Sequence, residues 1–201
     1  MTSTQPGRSQ GYAPGRAKRR EILDAATALY GEVGYRSASL REIATRSNLS
    51  HPGLLHYFPT KEALLLAVLE HRDAADSQWL PAAGVEGLNR LRRQAGLVAL
   101  NATRPSIVEL YAVLSAEATS TDHPAHMYFV RRYADLVAEL QRAYGLAQAA
   151  GQLRPEVEPA AAGRQLVAVM DGLQVQWLLD EAIDMAALVR AHLTSQLTVP
   201  L

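Results

Sequence analysis

The chain contains no cysteine, which removes disulfide frameworks, thiolate metal sites and thiol nucleophiles from consideration. Phe and Trp number two each, so aliphatic side chains must supply most of any core. No uninterrupted apolar run approaches the roughly 18 residues of a membrane span. The Arg and Lys near the N-terminus precede no apolar segment of the kind a secretory signal carries. These absences predict a soluble, cytoplasmic protein with no membrane partner. Enzymatic frames are missing too: there is no phosphate-cradling Gly loop, no His-Glu-x-x-His and no Gly-x-Ser-x-Gly elbow. Scattered carboxylates without such a frame do not make a general acid or base. No catalytic residue, cofactor or metal ligand is therefore expected. Strand-like alternation is lacking, and no repeat recurs at a 20–50 residue period.

Net charge is also absent, since 20 basic residues balance 20 acidic ones. The balance hides an asymmetry. Residues 1–61 hold nine basic side chains, including Arg16, Lys18, Arg19, Arg20, Arg36, Arg41, Arg46 and Lys61. Only Glu21, Asp24, Glu32 and Glu42 oppose them there. The excess of five is cancelled by an equal acidic excess in the remainder. A basic end on an acidic body is the footprint of a protein that presents that end to a polyanion.

What is present is helical periodicity. Residues 1–15 are rich in Gly, Ser, Thr, Gln and Pro and predict a disordered tail. From Arg16, the residues Ile22, Ala25, Ala26, Leu29 and Val33 recur at helical spacing, with Gly34 where a C-terminal cap belongs. Ser39-Leu40-Arg41-Glu42 reads as a capping box opening a short helix with Leu40, Ile43 and Ala44 inward. Ser50 caps a second short helix, His51 to about Phe58, whose first turn tolerates Pro52. Thr60 then starts a long helix. The character changes near Trp79-Leu80-Pro81. Beyond it come the stripes Ile107, Leu110, Tyr111, Leu114; then Val130, Tyr133, Val137, Leu140, Tyr144; then Leu166, Met170, Leu173, Trp177. A last helix covers roughly Met185 to Leu197, with Val189, Leu193 and Leu197 in register. The fold class is all-α: a three-helix N-terminal unit over 16–77 and a larger helical unit over 78–201.

Two short helices joined by a tight turn and buttressed on either side make a DNA-binding helix-turn-helix. Ala44 is small where the second helix crosses the first, Leu49 anchors the turn, and Leu54 and Phe58 supply core positions. The opposite face carries Ser50, His51, Gly53, His56 and Tyr57. A helix of eight residues is only ~12 Å long, enough to enter a major groove but not to cross it. Lys61 opens the next helix, where its ammonium and nearby amides can take a phosphate. His56 and Tyr57 each admit two readings, as DNA contacts or as partly buried core. The run Arg16 to Arg20 either solvates its helix or meets phosphates.

The run Ser39-Leu40-Arg41-Glu42-Ile43-Ala44, followed by Asn48-Leu49-Ser50-His51-Pro52-Gly53-Leu54-Leu55-His56-Tyr57-Phe58-Pro59-Thr60-Lys61-Glu62-Ala63-Leu64, resembles the DNA-binding signature of the TetR family of bacterial regulators. The resemblance spans about residues 16 to 77. The segment Asp171-Gly172-Leu173-Gln174-Val175-Gln176-Trp177-Leu178-Leu179 is similar to the penultimate helix of many members. The resemblance implies a homodimer formed through the last two helices, a palindromic double-stranded operator, and a small-molecule inducer bound in the C-terminal unit. It also implies DNA contacts from Arg41, base-facing positions at His51, Pro52 and Gly53, and phosphate contacts from Tyr57 and Lys61. Gly53 stands where Thr or Ser is common, and Leu55 where Tyr is common, so operator sequence does not transfer from relatives.

In the C-terminal unit, Tyr111, Tyr133, Met170 and Trp177 are candidates to line a ligand pocket, and the same stripes equally suit plain core. Leu166, Met170, Leu173 and Trp177, with Val189, Leu193 and Leu197, are the expected dimer seam. His123 and His126, beside Asp122 and near Glu117, have a spacing that suits Zn²⁺, but a helix-terminal His pair more often caps, and no metal is assigned. The expected function is a ligand-responsive repressor. Two rivals differ in class: a helical small-molecule carrier or enzyme with a vestigial N-terminal unit, and an architectural DNA protein. The architectural reading leaves residues 82–201 without a role and expects broadly spread basic charge.

Overall fold

The computed structural model describes residues 13–79 and 86–201. Among the described residues the chain forms nine helices and no strand: α1 (Ala13–Ser37), α2 (Leu40–Arg46), α3 (His51–Tyr57), α4 (Lys61–Trp79), α5 (Leu88–Asn101), α6 (Pro105–Glu117), α7 (His126–Ala149), α8 (Pro159–Leu179) and α9 (Met185–Gln196). An isolated bridge joins Leu153 to Leu197. Of the predicted disordered tail, residues 1–12 lie outside the described residues. Residues 13–15 are helical, so α1 starts three residues before the expected Arg16. Of the predicted change of character, Leu80 and Pro81 lie outside the described residues.

Helix starts follow local chemistry. Thr60 Oγ1 accepts from the Ala63 amide at 3.1 Å, as a cap of α4 should. Glu158 caps α8 with both carboxylate oxygens, accepting from Ala160 N at 2.9 Å and Ala161 N at 2.6 Å. Pro105 and Pro159 each sit in a first turn, where no amide donor is missed. α5 is the helix that no predicted stripe covered. Arg90, Gln94 and Asn101 are buried on its inner face, so the apolar period that would reveal it is interrupted by polar residues.

Burial divides into two clusters. The first joins Ile22, Leu29 and Tyr30 of α1 and Leu64, Leu65 and Val68 of α4 to Leu110, Tyr111 and Leu114 of α6 and Phe129 of α7. The second joins α5, the distal part of α7, α8 and α9 around Leu91, Leu140, Tyr144, Leu166 and Leu193. The N-terminal helices therefore share their core with α6 and α7 and do not close on themselves at residue 77. Val33 and Val130, both in predicted stripes, are 43% and 47% exposed. Tyr30 and Phe129 occupy the buried positions of those turns.

α1 and α6 meet closely enough to need glycine. A Cβ on Gly31 would stand 3.2 Å from the Leu110 amide nitrogen. At Gly34 the backbone leaves the helix with φ 75° and ψ 168°, a region that is essentially glycine's own. The break lets the Tyr35 amide donate to Glu117 Oε2 at 2.8 Å. A Cβ on Gly34 would collide with Glu117 Oε1. Gly34→Ala is expected to cost at least about 1–3 kcal/mol from backbone strain alone, measured by urea unfolding. Pairing it with Glu117→Ala should recover only the steric part, and a Gly34→Ala protein of unchanged stability would refute this account of the seam.

Candidate nucleic-acid interface and adjoining cleft

The turn between α2 and α3 is held by its own backbone. Leu49 N donates to Ala44 O at 2.8 Å, and Asn48 takes a left-handed φ of 52°. Asn tolerates that conformation better than most residues. Ala44, Leu54 and Phe58 are all buried, and Leu49 packs against the same core. Ser50 Oγ accepts from Gly53 N at 3.2 Å, capping α3. The capping box forms only in part. Ser39 Oγ accepts from Arg41 N at 3.2 Å, while the Glu42 carboxylate is drawn to Arg46 at 2.8 Å instead of returning to the backbone. Arg46 also grips both oxygens of Glu32 at 2.8 Å, fastening α2 to α1.

None of the predicted residues around this frame is buried. Arg41, Ser50, Pro52 and His56 are exposed, and His51, Gly53, Tyr57 and Lys61 are half-buried. His56 is therefore not core. Tyr57 is half-buried and packs partly against the first core cluster. The His56 and Tyr57 rings meet edge to face at 5.8 Å. A Cβ on Gly53 would come within 3.2 Å of the Ser50 hydroxyl, so glycine here leaves the cap undisturbed. Lys61 does not simply extend toward solvent. Its Nζ donates to Arg36 O at 3.1 Å and lies 4.6 Å from the centre of the Tyr35 ring. Burial pulls this ammonium below the ordinary lysine value, against the opposing pull of Glu62 and Glu117. From the entry segment, Arg19 lies 5.0 Å from the Phe58 ring centre and Lys18 pairs with Glu21.

A cleft of about 840 Å³ opens where α4, α5 and α7 approach, with Asp73, Arg90, Gln94, Tyr128 and Arg132 on its walls. None of Tyr111, Tyr133, Met170 or Trp177 lines it. Tyr111, Met170 and Trp177 are buried in the two cores, and Tyr133 bridges both. Two of them touch lining residues from behind: Tyr111 Oη is 2.5 Å from Tyr128 Oη, and Gln94 Nε2 reaches Met170 Sδ at 3.3 Å, whereas Tyr133 donates to Asp171 at 2.9 Å. Burial, with Asp171 beside it, pushes the Tyr133 phenol up to about 12.

The N-terminal helices, residues 22–68, match the family model of bacterial regulatory proteins of the tetR family. Residues 90–198 match that of the C-terminal domain of BetI-type transcriptional repressors. The chain belongs to the TetR family of bacterial transcriptional regulators. It is 43% identical over 53 residues to the HTH-type transcriptional regulator RutR of Escherichia coli, covering 26% of this chain and 25% of that protein. It is 24% identical over 164 residues to the A-factor receptor protein of Streptomyces griseus, covering 78% of this chain and 53% of that one. It thus spans about a quarter of the length of the first relative and about half of the second. In fold it resembles a TetR-family regulator from Agrobacterium tumefaciens, with TM-score 0.77, 20% identity and coverage of 91% and 99%.

For this TetR-family chain the expected dimer seam needs correction. Leu166, Met170, Leu173, Trp177, Val189, Leu193 and Leu197 are all buried within the single chain. The large apolar side chains exposed on the last two helices are Val175, Leu179 and Leu188. No single helix among the described residues is long and apolar enough to cross a membrane. The His pair separates: His126 Nδ1 meets Ala118 O at 2.8 Å, while His123 is buried with its ring edge-on to Tyr35 at 5.0 Å. Among the described residues no group of His, Asp and Glu is arranged to hold a metal.

His123 ties the α1–α6 seam to pH. Its Nδ1 accepts from Ala125 N at 3.2 Å, and its Nε2 faces Glu117 at 3.6 Å without a hydrogen bond. Burial lowers its proton affinity, opposed by Glu117 and aided by Arg36. A histidine depressed in the folded state supports stability above its unfolded value and loses that support as pH falls. His192, lowered by burial, acts in the same direction, whereas Asp171, raised by burial, acts oppositely. The melting temperature should therefore fall between about pH 7 and about pH 5.5, and His123→Gln should flatten part of that fall. An identical slope in the variant would remove His123 from this role.

Proposed function

We propose that the protein is a ligand-responsive repressor, not an enzyme, that binds a palindromic operator as a homodimer and is released by a small molecule in the α4–α5–α7 cleft. The observation that carries this reading is the α3 surface. Leu54 and Phe58 pin the helix from below, and Ser50, His51, Pro52, Gly53 and His56 are turned outward at its groove-sized end. Arg41, Tyr57 and Lys61 flank it and supply donors for phosphates on either side. In a dimer, two such helices must match half-sites about one helical turn apart, ~34 Å, or a multiple of it. An inducer acts only through its differential affinity for the matched and mismatched states. The name of the A-factor receptor, which aligns with most of this chain, supports an effector role for the C-terminal unit.

Selection of bound sequences from random DNA tests the reading directly. His51→Ala is expected to relax base preference at one position of each half-site, costing about 1–3 kcal/mol per contact. Binding to random DNA should hardly change, because phosphate contacts supply that term. An unaltered preference profile with unaltered affinity would take His51 out of the interface.

The exposed Val175 and Leu179, one helical turn apart, support dimerisation through the outer face of α8 together with Leu188 of α9. Light scattering is expected to show a dimer at micromolar concentration. Leu179→Lys should weaken it by at least about tenfold in Kd, since each burial of such a side chain contributes about 1.5–3 kcal/mol. A monomeric wild-type protein would remove this interface.

A further inference from the structure

Asp73 lies on α4, the helix that begins beside the DNA-facing surface at Lys61. Its carboxylate is held from two other helices. Tyr111 Oη of α6 donates at 3.1 Å, and Tyr128 Oη and Arg132 Nη1 of α7 donate at 2.6 and 2.7 Å. The phenol oxygens of Tyr111 and Tyr128 are 2.5 Å apart, so the Tyr111 proton is shared between Tyr128 and Asp73. Burial holds both phenols above their ordinary values and keeps them protonated as donors. Two guanidinium groups, Arg72 at 3.7 Å and Arg132 at 4.8 Å, lie against the Tyr111 ring.

This donor set is what a protein builds to receive a carboxylate: one cation with a forked donor, and rigid hydroxyls beside it. Two of its donors, Tyr128 and Arg132, and the carboxylate they hold, Asp73, also form the wall of the cleft. We propose that Tyr111, Tyr128 and Arg132 are a carboxylate receptor, occupied here by the protein's own Asp73 and open to an organic carboxylate effector that enters the cleft, takes over Arg132 and Tyr128, and frees α4. The proposal rests on the cleft being the effector site.

An anionic effector suits the site better than a cationic one. Displacing Asp73 sends to water one carboxylate whose side chain is already 33% exposed, while Tyr128 and Arg132 exchange one carboxylate for another and Arg72 keeps Asp76 at 3.0 Å. A cation drawn to Asp73 would leave Tyr128 and Arg132 without their acceptor, while Tyr111 keeps the Tyr128 oxygen. Unpartnered buried donors are the costlier outcome. Arg131 and Arg142 line the same cleft together with Asp76, Glu86, Asp135 and Glu139, so the preference for an anion rests on the donor set and not on the charge of the approach.

Removing the internal occupant should uncover the receptor. In Asp73→Ala, sodium acetate is expected to raise the melting temperature by about 4 °C at tenfold its Kd, beyond sodium chloride of equal ionic strength. Wild type should respond less, because Asp73 competes, and Asp73→Ala/Arg132→Met should not respond. If Asp73→Ala does not fold by circular dichroism, the same titration is made on Asp73→Asn, which keeps the side-chain shape and removes the charge. Equal responses to acetate and chloride, or an acetate response that survives loss of Arg132, would overturn the receptor. Release of α4 is read separately: Asp73→Ala without acetate should differ from wild type by at least tenfold in affinity for DNA selected on wild type, and acetate should narrow the gap. An unchanged affinity would overturn that part. Failure of wild type to bind any DNA specifically would instead sink the repressor reading, whatever acetate does to the variant.

Discussion

The close approach of α1 to α6 is the constraint on which the rest of the molecule depends. A three-helix DNA-reading unit has too little apolar surface to close a core alone, and here it borrows one. Tyr30, Leu29 and Ile22 bury against Leu110, Tyr111 and Leu114, side chains some 80 residues further along the chain. Glycine at Gly31 allows the backbones to approach, and the turn at Gly34 brings the Tyr35 amide onto Glu117. Any movement of α6 is therefore felt by α1, and through Arg46 and Glu32 by α2. The physical reason is close packing, since a seam without slack transmits displacement and does not absorb it.

A second connection is polar and works differently. Along the distal part of α4, Arg72, Asp73 and Asp76 reach Arg104, Tyr111, Tyr128 and Arg132 by long side chains. Arg72 and Asp76 are each only 6% exposed and lie 3.0 Å apart. A buried pair of this kind contributes little net stability, because desolvation cancels most of the attraction. Its geometry is directional, however, and its partners are exchangeable, unlike those of an apolar seam. The chain thus joins its two halves twice: once rigidly through α1 and α6, and once through contacts that a bound molecule can contest.

Much of this was legible in the residues. Caps at Ser50 and Thr60, the small Ala44 and the apolar Leu54 and Phe58 are local or near-local requirements, and the structure meets each of them. The failures share a cause. Glu42 belongs to a good capping box, yet Arg46 one turn along the same helix holds its carboxylate, and Arg46 is itself held in place by Glu32 of α1. The stripes of α8 and α9 were expected at a dimer seam, but periodicity reports only that a face is buried. It does not say whether the covering surface belongs to the same chain, and here Leu166, Leu173 and Leu193 are covered from within. α5 carries no clean apolar period because buried Arg90, Gln94 and Asn101 are polar, and Arg90 is stabilised by Glu139 across on α7.

The sequence by itself determined the all-helical class, the position of the helix-turn-helix and the family. Those depend on spacing and on residue types within a few turns of one another. The tertiary structure alone decided which apolar faces remain outside, with Val175, Leu179 and Leu188 exposed where Met170 and Trp177 are not. It alone placed the cleft, and it alone gathered Asp73, Tyr111, Tyr128 and Arg132, which come from three helices and share no motif. Hydrogen bonds between side chains distant in sequence leave no period behind them. Only the packing of one helix against another brings such groups within reach.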